Sequence, residues 1–175
     1  MDSINKQKQK FNKYKYKSKN NYRNKTDSNE SNSSKGNYLK FKNRFKKIRE
    51  KSCGCIIIND GKVLLIQQNK GNWGFPKGHV EFNETERETA IREVKEETNL
   101  DVRIFNNRRY TERYFTYKGR TKQVVYFLAK QTGGFEKKQD SEIKDIKWVE
   151  FDDAIKKLTY PNTKNLFGKV LKDLK

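Results

Sequence analysis

The order of apolar and polar residues predicts alternating strands and helices between residues 51 and 175. Residues 53–58 and 62–68 are rich in β-forming side chains, and the Asn59-Asp60-Gly61 segment between them is typical of a hairpin. Further strands are predicted over residues 102–105, 110–117, 123–129 and 143–149. The segment from Gly71 to Gly78 is turn-rich and is expected to lead into a helix.

Apolar residues at a spacing of three or four positions predict three helices. The first is expected at about residues 85–98, where Ala90, Ile91 and Val94 form a stripe that can dock on a core. Asn83, with Glu86 three residues later, is predicted to be the capping pair that begins this helix. The other two helices are predicted from the sets Phe151, Ala154, Ile155 and Leu158, and Phe167, Val170, Leu171 and Leu174. This order of elements predicts a compact α/β domain.

Charge is unevenly distributed and marks a boundary near residue 50. The chain of 175 residues has a formal net charge of +19, and residues 1–50 hold 16 of its 41 Lys and Arg against 4 of its 22 Asp and Glu, which gives +12. The remaining 25 basic and 18 acidic residues leave +7 for residues 51–175. Residues 1–50 are therefore predicted to be a basic, low-complexity arm, disordered over at least residues 1–37, because they bury too little apolar surface to offset the entropy of ordering.

Two roles are open for this arm. Aromatic residues interleaved with its lysines suit a contact with RNA or another polyanion, since charge binds phosphate and rings stack on bases. Lys and Asn also accumulate in tails under little constraint, and such a tail needs no partner.

Composition also bears on the compartment of the protein. No apolar run approaches the roughly 18 residues of a membrane helix, and no apolar segment near the start of the chain indicates a secretory signal. Cys53 and Cys55 lie two apart on a predicted strand and point to one face, so they are expected to be buried thiols in a reducing cytoplasm rather than a disulfide or a zinc site.

An acidic cluster on the first predicted helix is the main candidate for chemistry. Glu93, Glu96 and Glu97 stand at i, i+3 and i+4, so their carboxylates share one side of the helix. Such carboxylates repel one another unless a cation lies among them, and Mg²⁺ prefers oxygen ligands. A solvated acidic face is the other interpretation, because Glu and Lys are strong helix formers. Arg92, next to the cluster, is expected to hold Glu84 through a bidentate pair.

The spacing of these residues resembles the Nudix box. The order is Gly78, five residues, Glu84, seven residues, Arg92-Glu93, an aliphatic residue, any residue, Glu96-Glu97, two residues and Leu100. The resemblance implies an α/β/α sandwich with a mixed β-sheet, and metal-assisted attack of water on phosphorus in a nucleoside diphosphate linked to another group. One departure is Asn99, where the family usually has Gly. This position is expected to need a left-handed backbone, which Asn tolerates better than most residues.

The resemblance also assigns roles within the box. Mg²⁺, with Mn²⁺ as the alternative, is expected to be held by Glu93 and Glu97, with Glu96 as a third carboxylate and the backbone carbonyl of Gly78 as a further ligand. The other two box residues, Glu84 and Arg92, are expected to support this arrangement rather than to ligate or attack.

A fourth carboxylate usually comes from outside the box in this family. Glu142, six residues before Trp148, is the candidate for it, as a ligand or as the general base. The alternative is that Glu142 is a solvated loop acid near Asp140 and Asp145.

Segments outside the box are similar to the asymmetric dinucleoside tetraphosphate hydrolases of this family, over residues 73–81, 122–129 and 148–160. Lys77 and Lys122 are expected to neutralise a polyphosphate as compact point charges. Tyr160, with Tyr126 as a second candidate, is expected to stack on an adenine. His79 is the only histidine and is expected to be a loop residue or a residue that supports the site rather than a base, because the box already supplies carboxylates.

Three functions follow from these observations. The first is metal-dependent hydrolysis of diadenosine tetraphosphate to ATP and AMP by a monomer that acts on a small-molecule nucleotide and has no membrane partner. The second is an RNA 5′ pyrophosphohydrolase or decapping-type enzyme, because the Trp73–Gly78 sequence also occurs around the boxes of RNA-decapping Nudix enzymes. The third is a non-catalytic nucleotide- or RNA-binding module, and the intact box residues argue against it.

Overall fold

The computed structural model describes residues 50–116 and 119–174, so the predicted arm, up to residue 49, lies outside the described residues. Within the described residues, strands and helices alternate. The strands are β1 Glu50–Asn59, β2 Lys62–Gln68, β3 Trp73–Gly74, β4 Lys77–His79, β5 Leu100–Ile104, β6 Tyr110–Phe115, β7 Thr121–Gly134 and β8 Ile143–Glu150. The helices are α1 Glu86–Thr98, α2 Phe151–Lys157 and α3 Pro161–Asp173. None of these helices is long and apolar enough to span a membrane.

A single mixed sheet is built around β1. β1 pairs in parallel with β7, from Glu50 opposite Lys122 to Ile57 opposite Ala129. It pairs antiparallel with β2 through the predicted hairpin, and with β4 on the same side. β2 continues the sheet to β3 and β8, and β7 continues it to β5 and β6. The mixed sheet that the family resemblance implies is confirmed.

Alternation along β1 separates two apolar cores on opposite faces of the sheet. Cys53, Cys55 and Ile57 pack with Ala90 and Val94 of α1 in the first core. The second core contains Ile56 of β1 together with residues of α2 and α3, namely Ala154, Leu158, Leu166, Phe167 and Val170. Helices therefore cover both faces, and the predicted α/β/α sandwich is confirmed. The two cysteines are free and fully buried, as expected.

The sequence prediction is confirmed at the C-terminal end of α1 and is wrong at its N-terminal end. Asn99 follows the helix with φ 60° and ψ 12°, which confirms the left-handed position. The capping prediction is wrong, because Thr85 is the N-cap. Its hydroxyl accepts from the Glu88 N–H at 3.3 Å, and the Glu88 carboxylate accepts from the Thr85 N–H at 2.8 Å. Ile91, predicted to face the core, is 40% exposed.

The turn-rich segment before α1 contains two short strands that the sequence did not predict, β3 and β4. β4 lies close against β1, and a Cβ on Gly54 would overlap the carbonyl oxygen of Pro76 and the side chain of Lys77. Gly54 therefore permits the approach that carries Lys77 and Gly78 to the end of α1.

Candidate active site

Arg92 is the centre of a hydrogen-bond network that fixes the box residues. Its Nε and Nη2 donate to the two carboxylate oxygens of Glu84 at 2.6 and 2.9 Å, so the predicted bidentate pair is present. Its Nη1 donates to Glu93 Oε1 at 2.9 Å and to Glu96 Oε2 at 3.1 Å. Its Nη2 also donates to the His79 carbonyl at 2.9 Å. One guanidinium therefore joins the loop, the helix and β4.

Glu84 accepts hydrogen bonds from three residues. Besides Arg92 it accepts from the Thr89 hydroxyl at 2.8 Å and from the Glu81 N–H at 3.2 Å. The hydrogen bond from Arg92 lowers the pKa of Glu84 to about 2. An ionised carboxylate held in this way positions its neighbours and is a poor proton acceptor at neutral pH.

Glu97 is a buried carboxylate, 3% exposed, at the junction of α1 and β4. Its Oε2 accepts from the Lys77 N–H at 2.8 Å. Burial raises the pKa of Glu97 to about 8; the charges of Glu93 and Glu142 add to the rise, and the Lys77 charge opposes it. Positive charge placed beside this group would stabilise its ionised form.

Gly78 of β4 lies directly against Glu93. A Cβ at Gly78 would fall on the Glu93 carboxylate, so a side chain here would displace that carboxylate. Burial raises the pKa of Glu93, and the hydrogen bond from Arg92 opposes that rise. The helix and β4 thus meet through a carboxylate packed on a bare backbone.

The donor set of this region fits a hard divalent cation. Glu93, Glu96 and Glu97 offer only oxygen, and the glycine contact leaves the Gly78 backbone unshielded on the same side. In the described residues, no three His, Cys, Asp or Glu side chains already converge as metal ligands. Arg92 donates hydrogen bonds to Glu93 and Glu96, and the Lys77 N–H donates one to Glu97.

Two lysines flank β1 beside these carboxylates. Lys77 of β4 lies opposite Gly54, and Lys122 of β7 lies opposite Glu50. Burial first, and then the charge of Lys77, lower the pKa of Lys122. The structure therefore brings the two predicted phosphate-binding lysines within electrostatic reach of each other and of Glu93.

The aromatic residues near this pair differ from the prediction. Tyr126 is 1% exposed, and its ring packs edge-on against Phe75 at a centroid distance of 5.6 Å, so it is part of the core and offers no face to a base. Tyr160 is 52% exposed at the start of α3. Tyr114 of β6 lies opposite Lys122 and was missed by the sequence reasoning. Its position depends on the strand register, which the sequence did not reveal.

Tyr114 and Tyr160 share one environment. Burial raises the pKa of Tyr114 to about 12, with further contributions from Glu112 and from the Tyr160 side chain. Tyr114 is partly buried and Tyr160 is exposed. The two rings therefore lie on the lysine side of the site, where Tyr126 had been expected.

Glu142 and His79 lie at the margin of the site. Glu142 is exposed just before β8, where its carbonyl accepts from the Asn69 N–H at 2.9 Å. Its charge adds to the rise in the pKa of Glu97, so it lies within electrostatic reach of the box. Partial burial, and then Lys122, lower the pKa of His79.

A family model described as the NUDIX domain matches residues 49–169. The chain belongs to the Nudix family. The asymmetrical bis(5′-nucleosyl)-tetraphosphatase of Caenorhabditis elegans is 34% identical over 127 residues, which cover 68% of this chain and 92% of that relative. MutT4 of Mycobacterium tuberculosis is 29% identical over 136 residues, 70% of this chain and 55% of that relative, so the match spans about half the length of MutT4.

Solved structures of the Nudix family show the same fold. The crystal structure of a C. elegans Ap4A hydrolase binary complex superposes with a TM-score of 0.65 at 33% identity, and covers 71% of this chain and 97% of that one. Nudix hydrolases generally use divalent metal ions, usually Mg²⁺.

Proposed function

We propose that this Nudix hydrolase cleaves a nucleoside polyphosphate, with diadenosine tetraphosphate as substrate and ATP and AMP as products. The observation that carries the proposal is the pair Lys77 and Lys122, which flank β1 beside the buried box carboxylates. A long polyphosphate needs positive charge beyond the bond that is cleaved, and two neighbouring lysines supply it. The tetraphosphatase name of the 34% identical relative supports the same substrate.

We propose that Glu93 and Glu97, with Glu96 and the Gly78 carbonyl, hold Mg²⁺ or Mn²⁺. When bound, the cation supplies charge to the phosphate oxygens and activates the attacking water. Arg92 hydrogen-bonds both Glu93 and Glu96, so it orients these carboxylates and holds them close together. Glu84 in turn fixes Arg92.

The remaining roles in the proposal belong to residues outside the box. Glu142 either takes the proton of the attacking water or completes the ligand set. Lys77 and Lys122 neutralise the phosphates. Tyr160 stacks on an adenine, and Tyr114 replaces Tyr126 as the second aromatic residue, because Tyr126 is buried.

The test is a substrate panel with the purified full chain and Mg²⁺, containing a dinucleoside tetraphosphate, a nucleoside triphosphate and a 5′-triphosphate RNA. We expect the tetraphosphate to be turned over most efficiently and to give ATP and AMP. Reaction in ¹⁸O-water, followed by mass spectrometry, identifies the phosphorus that is attacked. Turnover of the RNA alone would overturn the substrate assignment in favour of a decapping-type activity.

A matched pair of variants tests the lysines directly. Lys122→Ala is expected to lower kcat/KM for the tetraphosphate by about tenfold or more, because a charge-assisted contact is lost. Lys130→Ala removes an exposed lysine from the same strand and is expected to leave kcat/KM unchanged. Equal effects of the two changes would contradict the proposed role of Lys122.

We further propose that the protein acts as a monomer in the cytoplasm. The free, buried thiols of Cys53 and Cys55 suit a reducing compartment. We also propose that residues 1–50 bind RNA. This binding is separate from hydrolysis and does not depend on which nucleotide the enzyme cleaves.

A further inference from the structure

A cavity of about 470 Å³ lies between β6 and α3, at the edge of the sheet, and is called here the β6–α3 cleft. Its walls include Arg108, Tyr110, Arg113, Lys169 and Asp173. None of its lining residues belongs to the Nudix box or to the pair Lys77 and Lys122. The volume is in the range of small-molecule sites. The cleft therefore shares no side chain with the box or with this lysine pair.

Basic side chains outnumber acidic ones in this cleft. The acidic members already have partners: Asp173 pairs with Arg108 at 3.1 Å, and Glu112 accepts a hydrogen bond from the Thr163 hydroxyl at 3.1 Å. A fourth cation of the lining, Arg109, is engaged by Glu86 in a bidentate pair.

Arg113 and Lys169 are the two cations of the cleft with no ion pair to any described residue. Both are exposed, one on β6 and one on α3. They line the cleft from its two elements and leave positive charge at its edge.

Tyr110 adds a buried hydroxyl beside Asp173. It is 6% exposed, and its hydroxyl makes no hydrogen bond of ordinary length in the described residues but interacts with the Asp173 carboxylate. Burial, and then Asp173, raise the pKa of Tyr110, so the hydroxyl keeps its proton at neutral pH. Because Asp173 is already paired with Arg108, the Tyr110 hydroxyl can also donate to a ligand in the cleft.

We propose that the β6–α3 cleft binds a phosphate group, carried by a free nucleotide or by a single nucleic-acid strand, at a site distinct from the active site. Arg113 and Lys169 supply the charge, and the Tyr110 hydroxyl supplies a neutral donor. The planar fork of an arginine suits the tetrahedral oxygens of phosphate. Residues 51–175 carry a net charge of +7, which favours the approach of a polyanion to the domain.

The test compares two double variants of the full chain. Arg113→Gln with Lys169→Gln removes the two unpaired cations of the cleft. Arg103→Gln with Lys172→Gln is the matched control, because it removes an exposed strand arginine and an exposed α3 lysine that do not line the cleft. Each protein is titrated with inorganic pyrophosphate and with a short single-stranded oligouridylate, and the ¹⁵N amide shifts of residues 110–113 and 165–169 are followed by NMR.

We expect the cleft variant to bind at least one of the two probes about tenfold more weakly than the control, with hydrolysis unchanged. A loss confined to pyrophosphate identifies a free phosphate ligand. A loss confined to the oligonucleotide identifies a nucleic-acid ligand. In that case the slope of log affinity against log salt concentration should also fall by about one. Equal affinity of the cleft and control variants for both probes overturns the proposal.

Tyr110→Phe keeps the test decisive if the double variant fails to fold. It deletes only a hydroxyl that makes no hydrogen bond of ordinary length in the described residues, and Asp173 keeps its ion pair with Arg108, so folding is expected to be retained. We expect its affinity for the bound probe to fall severalfold, since one donor is lost. Unchanged affinity for both probes would again overturn the proposal. Hydrolysis is measured in parallel, so failure of the cleft site and failure of the proposed function are distinguishable.

Discussion

Glu97 combines near-complete burial with a position where positive charge is expected to bind. Glu97→Gln keeps the shape of the side chain and an oxygen that accepts from the Lys77 N–H. We expect folding to be retained and turnover to fall by at least about a hundredfold, because an anionic ligand is lost from the centre of the site. Steady-state kinetics and circular dichroism measure the two effects.

Glu88→Gln is the matched control for this change. It removes a carboxylate from the exposed first turn of the same helix, and the glutamine oxygen still accepts from the Thr85 N–H. Turnover by this control should equal that of the parent. Full activity of Glu97→Gln would refute the metal assignment.

Glu112 gives a prediction about pH. Burial raises its pKa in the folded protein, and the hydrogen bond from Thr163 opposes that rise. The folded state then holds a proton that the unfolded state has released, so the contribution of Glu112 to stability is present below pH 4.5 and is lost as pH rises through the folded pKa. Denaturant unfolding should show the parent losing stability relative to Glu112→Gln over this window.

Glu88 should show the opposite sign. Hydrogen bonds from Thr85 lower the pKa of Glu88, so its contribution is present above pH 4.5 and is lost as pH falls through the folded pKa. The two variants, Glu112→Gln and Glu88→Gln, therefore diverge from the parent at opposite ends of the pH scale. Parallel curves for both would contradict this account.

Among single residues, sequence spacing predicted the contact between Glu84 and Arg92, which lie close together in the chain. It did not predict contacts that form only when distant elements pack together. Arg92 and Glu84 were paired correctly because the box fixes their separation. Tyr126 was a second candidate for stacking on the substrate because residues 122–129 resemble a strand of the dinucleoside tetraphosphate hydrolases. Its place on the face covered by α2 and α3 follows from tertiary packing, which the sequence does not display.

At the scale of elements, two capping signals overlap at the start of α1. Asn83 with Glu86 and Thr85 with Glu88 have the same spacing, and the structure uses the second. Glu86 is held by Lys51 at 2.5 Å and by Arg109 at 2.6 Å, so it does not return to a cap. These partners are distant in the chain, and local sequence rules therefore chose the wrong pair.

Strands β3 and β4 were missed for a related reason. They contain two and three residues, which is too short for an alternating pattern to be recognised. Their pairing depends on β2 and β1 as neighbours. The longer strands and all three helices of the described residues were predicted close to their observed positions.

The contact between β4 and α1 predicts the effect of Gly78→Ala. The added methyl group falls on the Glu93 carboxylate, so this carboxylate must leave its position beside Arg92, or the strand or the helix must shift. We expect stability to fall by about 1–3 kcal/mol and turnover to fall with it. Gly74→Ala on the neighbouring short strand is the control, because nothing lies within 4 Å of the added atom. Denaturant unfolding and kinetics should separate the two, and identical behaviour would argue against a tight β4–α1 contact.

At the scale of the whole molecule, we expect truncation to separate the arm from the domain. Residues 1–45 precede the first described strand, which begins at Glu50, and precede the NUDIX match, which begins at residue 49. Deleting them should leave hydrolysis of the tetraphosphate unchanged. If the arm binds RNA, the deletion should weaken RNA binding in a salt-dependent way, because fewer counterions are released. Loss of tetraphosphate turnover on deletion would show that the arm belongs to the catalytic unit.

The reactivity of Cys53 and Cys55 reports on local opening of the domain. Both thiols lie beneath α1, and Cys55 Sγ donates to the Ala90 carbonyl of that helix at 3.7 Å. Burial raises the pKa of Cys53 to about 11 and that of Cys55 to about 12, so neither is a thiolate at neutral pH in the closed state. An alkylating reagent reaches them when α1 lifts from the sheet or when the domain unfolds. The rate of alkylation therefore measures how often the helix that carries Glu93 and Glu97 opens, alone or with the whole domain, in the unlabelled natural sequence.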